Sequence, residues 1–259
     1  MIRFTVLLAL ILIIYVKCVK ETLSEQDRIM KNIFKISDNQ NVKQVGDEIY
    51  IIDNFYKNPE DIRKLAISNK NNFLNHTSLY LTRSINPYLY SNIMYELISK
   101  MESILWVDLN KNDWDNDIEI NSNGFIQYLT EDGKPTIHYD NHWTLIIFLS
   151  PNPDENTGTS IYKHKATGVK KYMDDTEAKE IYGEDKFKEM INKYSKDNEN
   201  INGMPQYDKW DKIYSCKNIY NSAILFNGRQ WHSSNGGFGK DVENARLFQT
   251  FFFLEFKKN

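Results

Sequence analysis

The sequence predicts a mainly β fold, an antiparallel sandwich or jelly roll with helices packed outside. Three observations carry that expectation. After Ile118 the chain breaks into short β-forming runs separated by turn residues such as Asp132-Gly133, Pro151-Asn152-Pro153 and Asn227-Gly228. Aromatic residues make up 14% of the chain, with 16 Tyr and 14 Phe, which suits strand-rich cores. Two helix-start signals, Asn58-Pro59 and Asn86-Pro87, fall in the N-terminal third, ahead of those runs.

The chain has 259 residues, 41% hydrophobic and 26% charged, which excludes a disordered tail protein, a collagen-like fibre and a polytopic membrane protein. A net charge of −3, from 32 basic and 35 acidic side chains, gives no global attraction to nucleic acid. Cys18 and Cys216 are the only cysteines, so a disulfide framework and a thiolate zinc site are both ruled out.

Residues 1–19 read as a signal peptide or signal anchor. Arg3 precedes an apolar run from Phe4 to Val16 that Lys17 closes. That run is shorter than the roughly 20 residues of a spanning helix and suits the about 7–15 of a signal-peptide core. Val16-Lys17-Cys18 is a poor match to an A-x-A cleavage pattern. The expected address is the secretory lumen, secretion, or membrane attachment through this segment. Asn75-His76-Thr77 forms an N-glycosylation sequon that would fit such a route.

Residues 20–259 read as a single domain. Ile49 to Ile52 make a short β run. Asn58 then caps a helix with Pro59 in its first turn and Glu60 and Asp61 complementing its dipole; Ile62, Leu65 and Ala66 form its buried face. The second helix follows Asn86-Pro87, with Leu89, Ile93 and Leu97 on one face. Expected strands are Gly124–Thr130, Thr136–Asp140, Thr144–Ser150, Thr159–His164, Ser222–Phe226 and Arg246–Phe256. The polar stretch at about 170–211 reads as a helical insertion with one amphipathic helix through Phe187, Met190, Ile191 and Tyr194. Its length suggests a lid.

In Thr136-Ile137-His138-Tyr139-Asp140 the histidine and aspartate stand two apart on an expected strand and so share a face. His232 follows the strand Ala223–Phe226 by a short turn. Two imidazoles and one carboxylate on one side of a metal are the facial arrangement of non-haem Fe(II) oxygenases. Arg246 heads the apolar run that closes the chain; a buried guanidinium needs an anionic partner, and its fork suits a carboxylate.

The chain resembles the 2-oxoglutarate- and Fe(II)-dependent dioxygenases, nearest in layout to the prolyl-hydroxylase-like branch. The likeness runs from about Asp47 to Phe256. It rests on Ile51-Ile52-Asp53-Asn54-Phe55-Tyr56, on Gln127-Tyr128 before His138-Tyr139-Asp140, on Trp143 to Leu149, on Gly158-Thr159-Ser160, on Trp231-His232 and on Arg246. The resemblance implies a double-stranded β-helix (jelly roll) that hydroxylates a substrate while decarboxylating 2-oxoglutarate to succinate. It implies His138, Asp140 and His232 as Fe(II) ligands, with 2-oxoglutarate and O2 as co-substrates. Arg246 would anchor the far carboxylate of 2-oxoglutarate, and Tyr128 would donate a supporting hydrogen bond to it. The chain departs from the pattern where Val242 stands at the usual position of the basic anchor, and where Thr157-Gly158-Thr159 replaces Gly-Gly-Thr. Retention of Asp140 resembles hydroxylases and argues against halogenation. The branch suggests a peptide or protein side chain as substrate without identifying it.

Plainer readings stand beside these. His138 and Asp140 could be a hydrogen-bonded pair in a polar barrel mouth, Arg246 a salt-bridge partner of Glu243 or Asp241, and Tyr128 a packed core aromatic. His142 reads as a rim histidine, His164 as solvated between Lys163 and Lys165, His76 as part of a polar loop, Trp231 as packed and Cys216 as buried. For the whole chain the alternatives are a non-catalytic jelly-roll binding module and a cupin-like metal enzyme that does not use 2-oxoglutarate.

Overall fold

The computed structural model describes residues 25, 27–76, 81–84, 91–109, 122–133, 135–197 and 206–255. The N-terminal apolar segment, Thr77 of the sequon and the Asn86-Pro87 helix signal lie outside them. The described chain is mainly β, with two antiparallel sheets and several helices. The larger sheet contains β1 (Asn41–Gly46), β2 (Ile49–Asp53), β3 (Phe73–His76), β4 (Leu81–Ser84), β5 (Ile126–Leu129), β6 (Trp143–Phe148), β9 (Ala223–Asn227) and β11 (Arg246–Phe253), in the order β1-β2-β9-β6-β11-β5-β4-β3. The smaller holds β7 (Thr159–His164), β8 (Trp210–Ser215) and β10 (His232–Ser234), in the order β10-β7-β8. Among the described residues the two sheets are not joined into a closed barrel. From β5 onward the chain passes back and forth between them.

Period-2 alternation sorts the large sheet into two faces. Leu145, Ile147, Leu225, Leu247 and Phe251 pack under α1 (Pro59–Ser68) and α2 (Ser91–Leu105), against Ile62, Ala66, Leu97 and Ile98. The helices bury those residues because their apolar positions recur at helical spacing, as at Ile93, Met94, Leu97, Ile98 and Met101. Asn58 does precede α1, but its side chain makes no capping bond. The opposite face carries Ile49, Leu129, Phe148, Ile224, Phe226 and Phe248, which meet Ile161 and Cys216 of the smaller sheet's side. Arg246 and His232, two of the residues singled out in the sequence, lie on this side of the sheet.

Four expectations change. Thr136–Asp140 is not a ladder strand but a single bridge, His138 to His232; two residues on, the Asp140 N–H goes instead to the Gly228 carbonyl. His76 ends β3 rather than lying in a loop. The insertion contains two helices, α3 (Asp175–Tyr182) and α4 (Glu184–Asp197). A capping box starts α3: Asp174 accepts from the Glu177 N–H while the Glu177 side chain accepts from the Asp174 N–H, an Asp-x-x-Glu signal present in the sequence. Finally, the insertion stops short of Trp210, where β8 begins as an edge strand. Among the described residues no helix is long and apolar enough to cross a membrane.

Candidate metal centre

The isolated bridge between His138 and His232 builds the centre of the site. Each histidine donates its backbone N–H to the other's carbonyl, at 2.9 and 2.8 Å, so the two side chains emerge on the same face. Their rings stand 4.3 Å apart. Asp140, two residues on from His138, points to the same place, with Oδ2 3.2 Å from His232 Nε2 and Oδ1 4.0 Å from His138 Nε2. The three ligand atoms lie within 4.8 Å of one another.

Each imidazole is oriented by its other nitrogen. His138 Nδ1 lies 2.9 Å from the Thr136 carbonyl, and His232 Nδ1 lies 2.8 Å from the Gln230 carbonyl. A carbonyl only accepts, so Nδ1 carries the proton and, in the neutral ring, Nε2 keeps a lone pair. Both lone pairs face each other and a carboxylate. That is the donor set a divalent cation takes, with the outer hydrogen bonds that hold histidine ligands in place.

Asp140 is held from three sides. Its N–H donates to the Gly228 carbonyl at 2.8 Å, the Thr144 hydroxyl donates to Oδ2 at 2.9 Å, and Gly228 leaves room for its Cβ. A Cβ on Gly228 would come 2.1 Å from the His142 carbonyl oxygen and 2.9 Å from the Asp140 Cβ. Burial by itself would raise the Asp140 carboxyl. When His232 is protonated at Nε2, its charge and hydrogen bond, with His138 and the Thr144 hydroxyl, outweigh that effect and bring the pKa down to about 2. Partial removal from water and the neighbouring His232 push the His138 imidazole below its ordinary value, which favours the lone-pair form. His232 is 3% exposed and Asp140 15%, whereas 44% of the His138 side chain reaches solvent.

Arg246 lies at the start of β11 with 2% of its surface exposed. Nη1 donates to the Ser234 hydroxyl at 2.8 Å; Nη2 reaches the Gly158 carbonyl at 3.4 Å and the Thr159 hydroxyl at 3.5 Å. Its flat face lies over the Phe248 and Phe148 rings, 4.7 and 5.6 Å from their centroids. Nε has no hydrogen-bond partner, and no carboxylate pairs with the guanidinium among the described residues. Burial pulls its pKa down to about 10. The salt-bridge alternative therefore falls: Glu243 pairs with Lys70, and Asp241 accepts from the Glu243 N–H. Val242, at the position where the resemblance would seat the anchor, is buried in the core beneath the helices.

Tyr128 does not join this group. Its strand partner is Leu247, whereas Arg246 pairs with Leu129, so alternation turns Tyr128 to the helix-covered face. There it packs on Phe73, with ring centroids 5.3 Å apart. His164 is buried, not solvated, because its Nδ1 pairs with Thr167 Oγ1 at 2.8 Å and its ring packs on Trp210. Trp231 and Cys216 are buried as expected.

Three residues of the site escaped the sequence reading. Ser234 stands two places after His232 and so shares its face, a relation that strand alternation could have revealed. Thr144 lies only four residues after Asp140, whereas Gly228 meets Asp140 from a distant segment, a contact that no local pattern signals. A cleft of about 670 Å³ has Trp106, Asn141, His142, Arg229 and Glu255 among its walls; these include the two residues that follow Asp140 but none of the three candidate ligands. Comparison with protein-family models and with curated protein sequences gives no match, so the reading of the site rests on its own geometry.

Proposed function

We propose that the chain is an Fe(II)- and 2-oxoglutarate-dependent dioxygenase that hydroxylates a substrate, built on a double-stranded β-helix. The passage of successive strands between two sheets supports the fold. One observation carries the chemistry: the Nδ1 atoms of His138 and His232 are committed to backbone carbonyls, leaving both Nε2 atoms aimed at Asp140. When bound, iron and 2-oxoglutarate supply the oxidising chemistry, in which decarboxylation to succinate is coupled to oxygen insertion.

The protein's part is geometric and electrostatic. His138, Asp140 and His232 would hold the metal, and Thr144 keeps the Asp140 carboxylate turned toward them. Arg246 would take the far carboxylate of the co-substrate, since its guanidinium is buried among neutral groups. Ser234, which orients Arg246, lies two residues from His232, about 6.6 Å along the strand, a span suited to a short dicarboxylate. Phe148, Phe226, Phe248 and Ile161 keep water from that space. The exposed edge of His138 leaves one side of the triad open to solvent, and that side is where we seat the substrate.

The test uses Fe(II)-loaded protein and measures succinate formed from 2-oxoglutarate under O2, beside Asp140→Ala and Arg246→Ala. Turnover lost in the first and a raised 2-oxoglutarate requirement in the second are expected. Metal binding and activity unchanged by Arg246→Ala would instead support a metal enzyme that does not use 2-oxoglutarate. A folded, metal-loaded protein showing neither turnover nor the charge-transfer absorption of a 2-oxoglutarate chelate would sink the proposal.

A further inference from the structure

The turn between β9 and β10, residues 227–230, supports two of the three candidate ligands. The Gly228 carbonyl takes the Asp140 N–H, and the Gln230 carbonyl takes His232 Nδ1. The residue between them, Arg229, points outward into the insertion. Its Nε donates to the Tyr172 carbonyl at 3.0 Å, Nη1 donates to Glu177 Oε1 at 3.1 Å, and Nη2 donates to Glu177 Oε2. The Tyr172 N–H returns a bond to the Arg229 carbonyl at 2.7 Å, and the Trp231 N–H donates to Lys170. Tyr172 also stacks on Tyr139, the residue between His138 and Asp140, with ring centroids 4.0 Å apart and planes 2° from parallel.

The insertion therefore grips both ligand-bearing segments from behind, and its first helix is fixed to them, not hinged over them. We propose that the Glu177–Arg229 pair is a positioning pair for the metal centre, holding residues 227–230 so that Asp140 and His232 converge. This rests on reading His138, Asp140 and His232 as a metal site. The two-pronged contact fixes the direction of the guanidinium as a single-point ion pair would not. Neither residue touches the ligand atoms; both act through the two carbonyls on either side of Arg229.

Co(II) titration, followed by its ligand-field absorption, tests this on the full chain. Glu177→Gln removes the charge but keeps the capping box, because glutamine serves at that position, so α3 persists. It should bind Co(II) about tenfold more weakly, the loss expected when an outer partner of a metal site is removed, and with an altered band shape. Arg229→Lys keeps the charge, loses the fork and should weaken binding likewise. Glu180→Gln removes one charge from an exposed position of the same helix and should leave affinity and spectrum as in the wild type. Wild-type affinity and spectrum in Glu177→Gln would overturn the proposal, as would equal weakening by Glu180→Gln, which would make the effect one of net charge. A wild-type protein that takes up no Co(II) would be a different failure: the metal reading itself would fall, and this proposal with it.

Discussion

Arg246 donates to the Ser234 hydroxyl at 2.8 Å, and Ser234 lies two residues from His232 on the same face of β10. A buried cation on β11 is thereby tied by a hydrogen bond to β10, the strand that carries a candidate metal ligand. The separation of Ser234 from His232 is set by strand rise and not by loop conformation.

Replacing Arg246 by methionine should divide stability from binding. The guanidinium is buried with no carboxylate among the described residues, and an uncompensated buried charge is costly. Arg246→Met is expected to leave the protein at least as resistant to thermal unfolding as the wild type. Its affinity for 2-oxoglutarate, measured by anaerobic titration of the metal-loaded protein, should fall about 10- to 100-fold.

Gly228 and Thr144 should affect the metal through Asp140. Gly228→Ala forces a Cβ into the His142 carbonyl and the Asp140 Cβ, an overpacking that costs about 1–3 kcal/mol in denaturant unfolding. Thr144→Val preserves shape but removes the hydroxyl that donates to Asp140 Oδ2. Its Co(II) affinity is expected to drop about tenfold or more, with little change in far-UV circular dichroism.

The Cys216 thiol gives a pH signature. Burial, opposed by the Thr159 N–H and by Arg246, raises its pKa from 9.0 to about 11. A raised folded pKa means the unfolded chain loses its proton first, so the stabilisation is complete below pH 9 and is lost as pH rises from 9 toward about 11. Cys216→Ala should flatten that part of the stability–pH curve. Iodoacetamide at pH 8 should label Cys216 slowly in the native protein and quickly in denaturant.

On the helix-covered face, Tyr56 donates its hydroxyl to Gln249 Oε1 at 2.9 Å, and Gln249 Nε2 donates to the Gly124 carbonyl at 2.9 Å. Tyr56→Phe leaves a buried acceptor without that donor. A loss of about 1–3 kcal/mol is expected in urea unfolding, with Co(II) affinity unchanged because the bond lies on the far side of the sheet.

Residues whose role depends on local pattern could be read from the sequence. Thr159–His164 was expected as a strand and is β7; His138 and Asp140 were expected on one face and point to one place. What escaped depends on pairings between distant segments. Tyr128 turns away from Arg246 because the β5–β11 register sets Leu129, not Tyr128, opposite it, and one residue of slip reverses the face. β1 and β8 are edge strands in which apolar and polar residues mix and several positions are exposed, so no clean apolar alternation marked them. His164, flanked by lysines, looked solvated, yet its strand is covered by Trp210 from a segment 46 residues away (210 − 164).

The paired backbones of His138 and His232 close a loop of 94 residues (232 − 138). During synthesis the first two candidate ligands leave the ribosome well before the third, and no centre forms until β10 docks. If His138, Asp140 and His232 hold a metal as proposed, it binds the folded chain in preference to the unfolded one, and mass action makes it a stabiliser of that long-range closure. Metal supply would thus govern how much of the protein survives proteolysis, as well as how much of it is active.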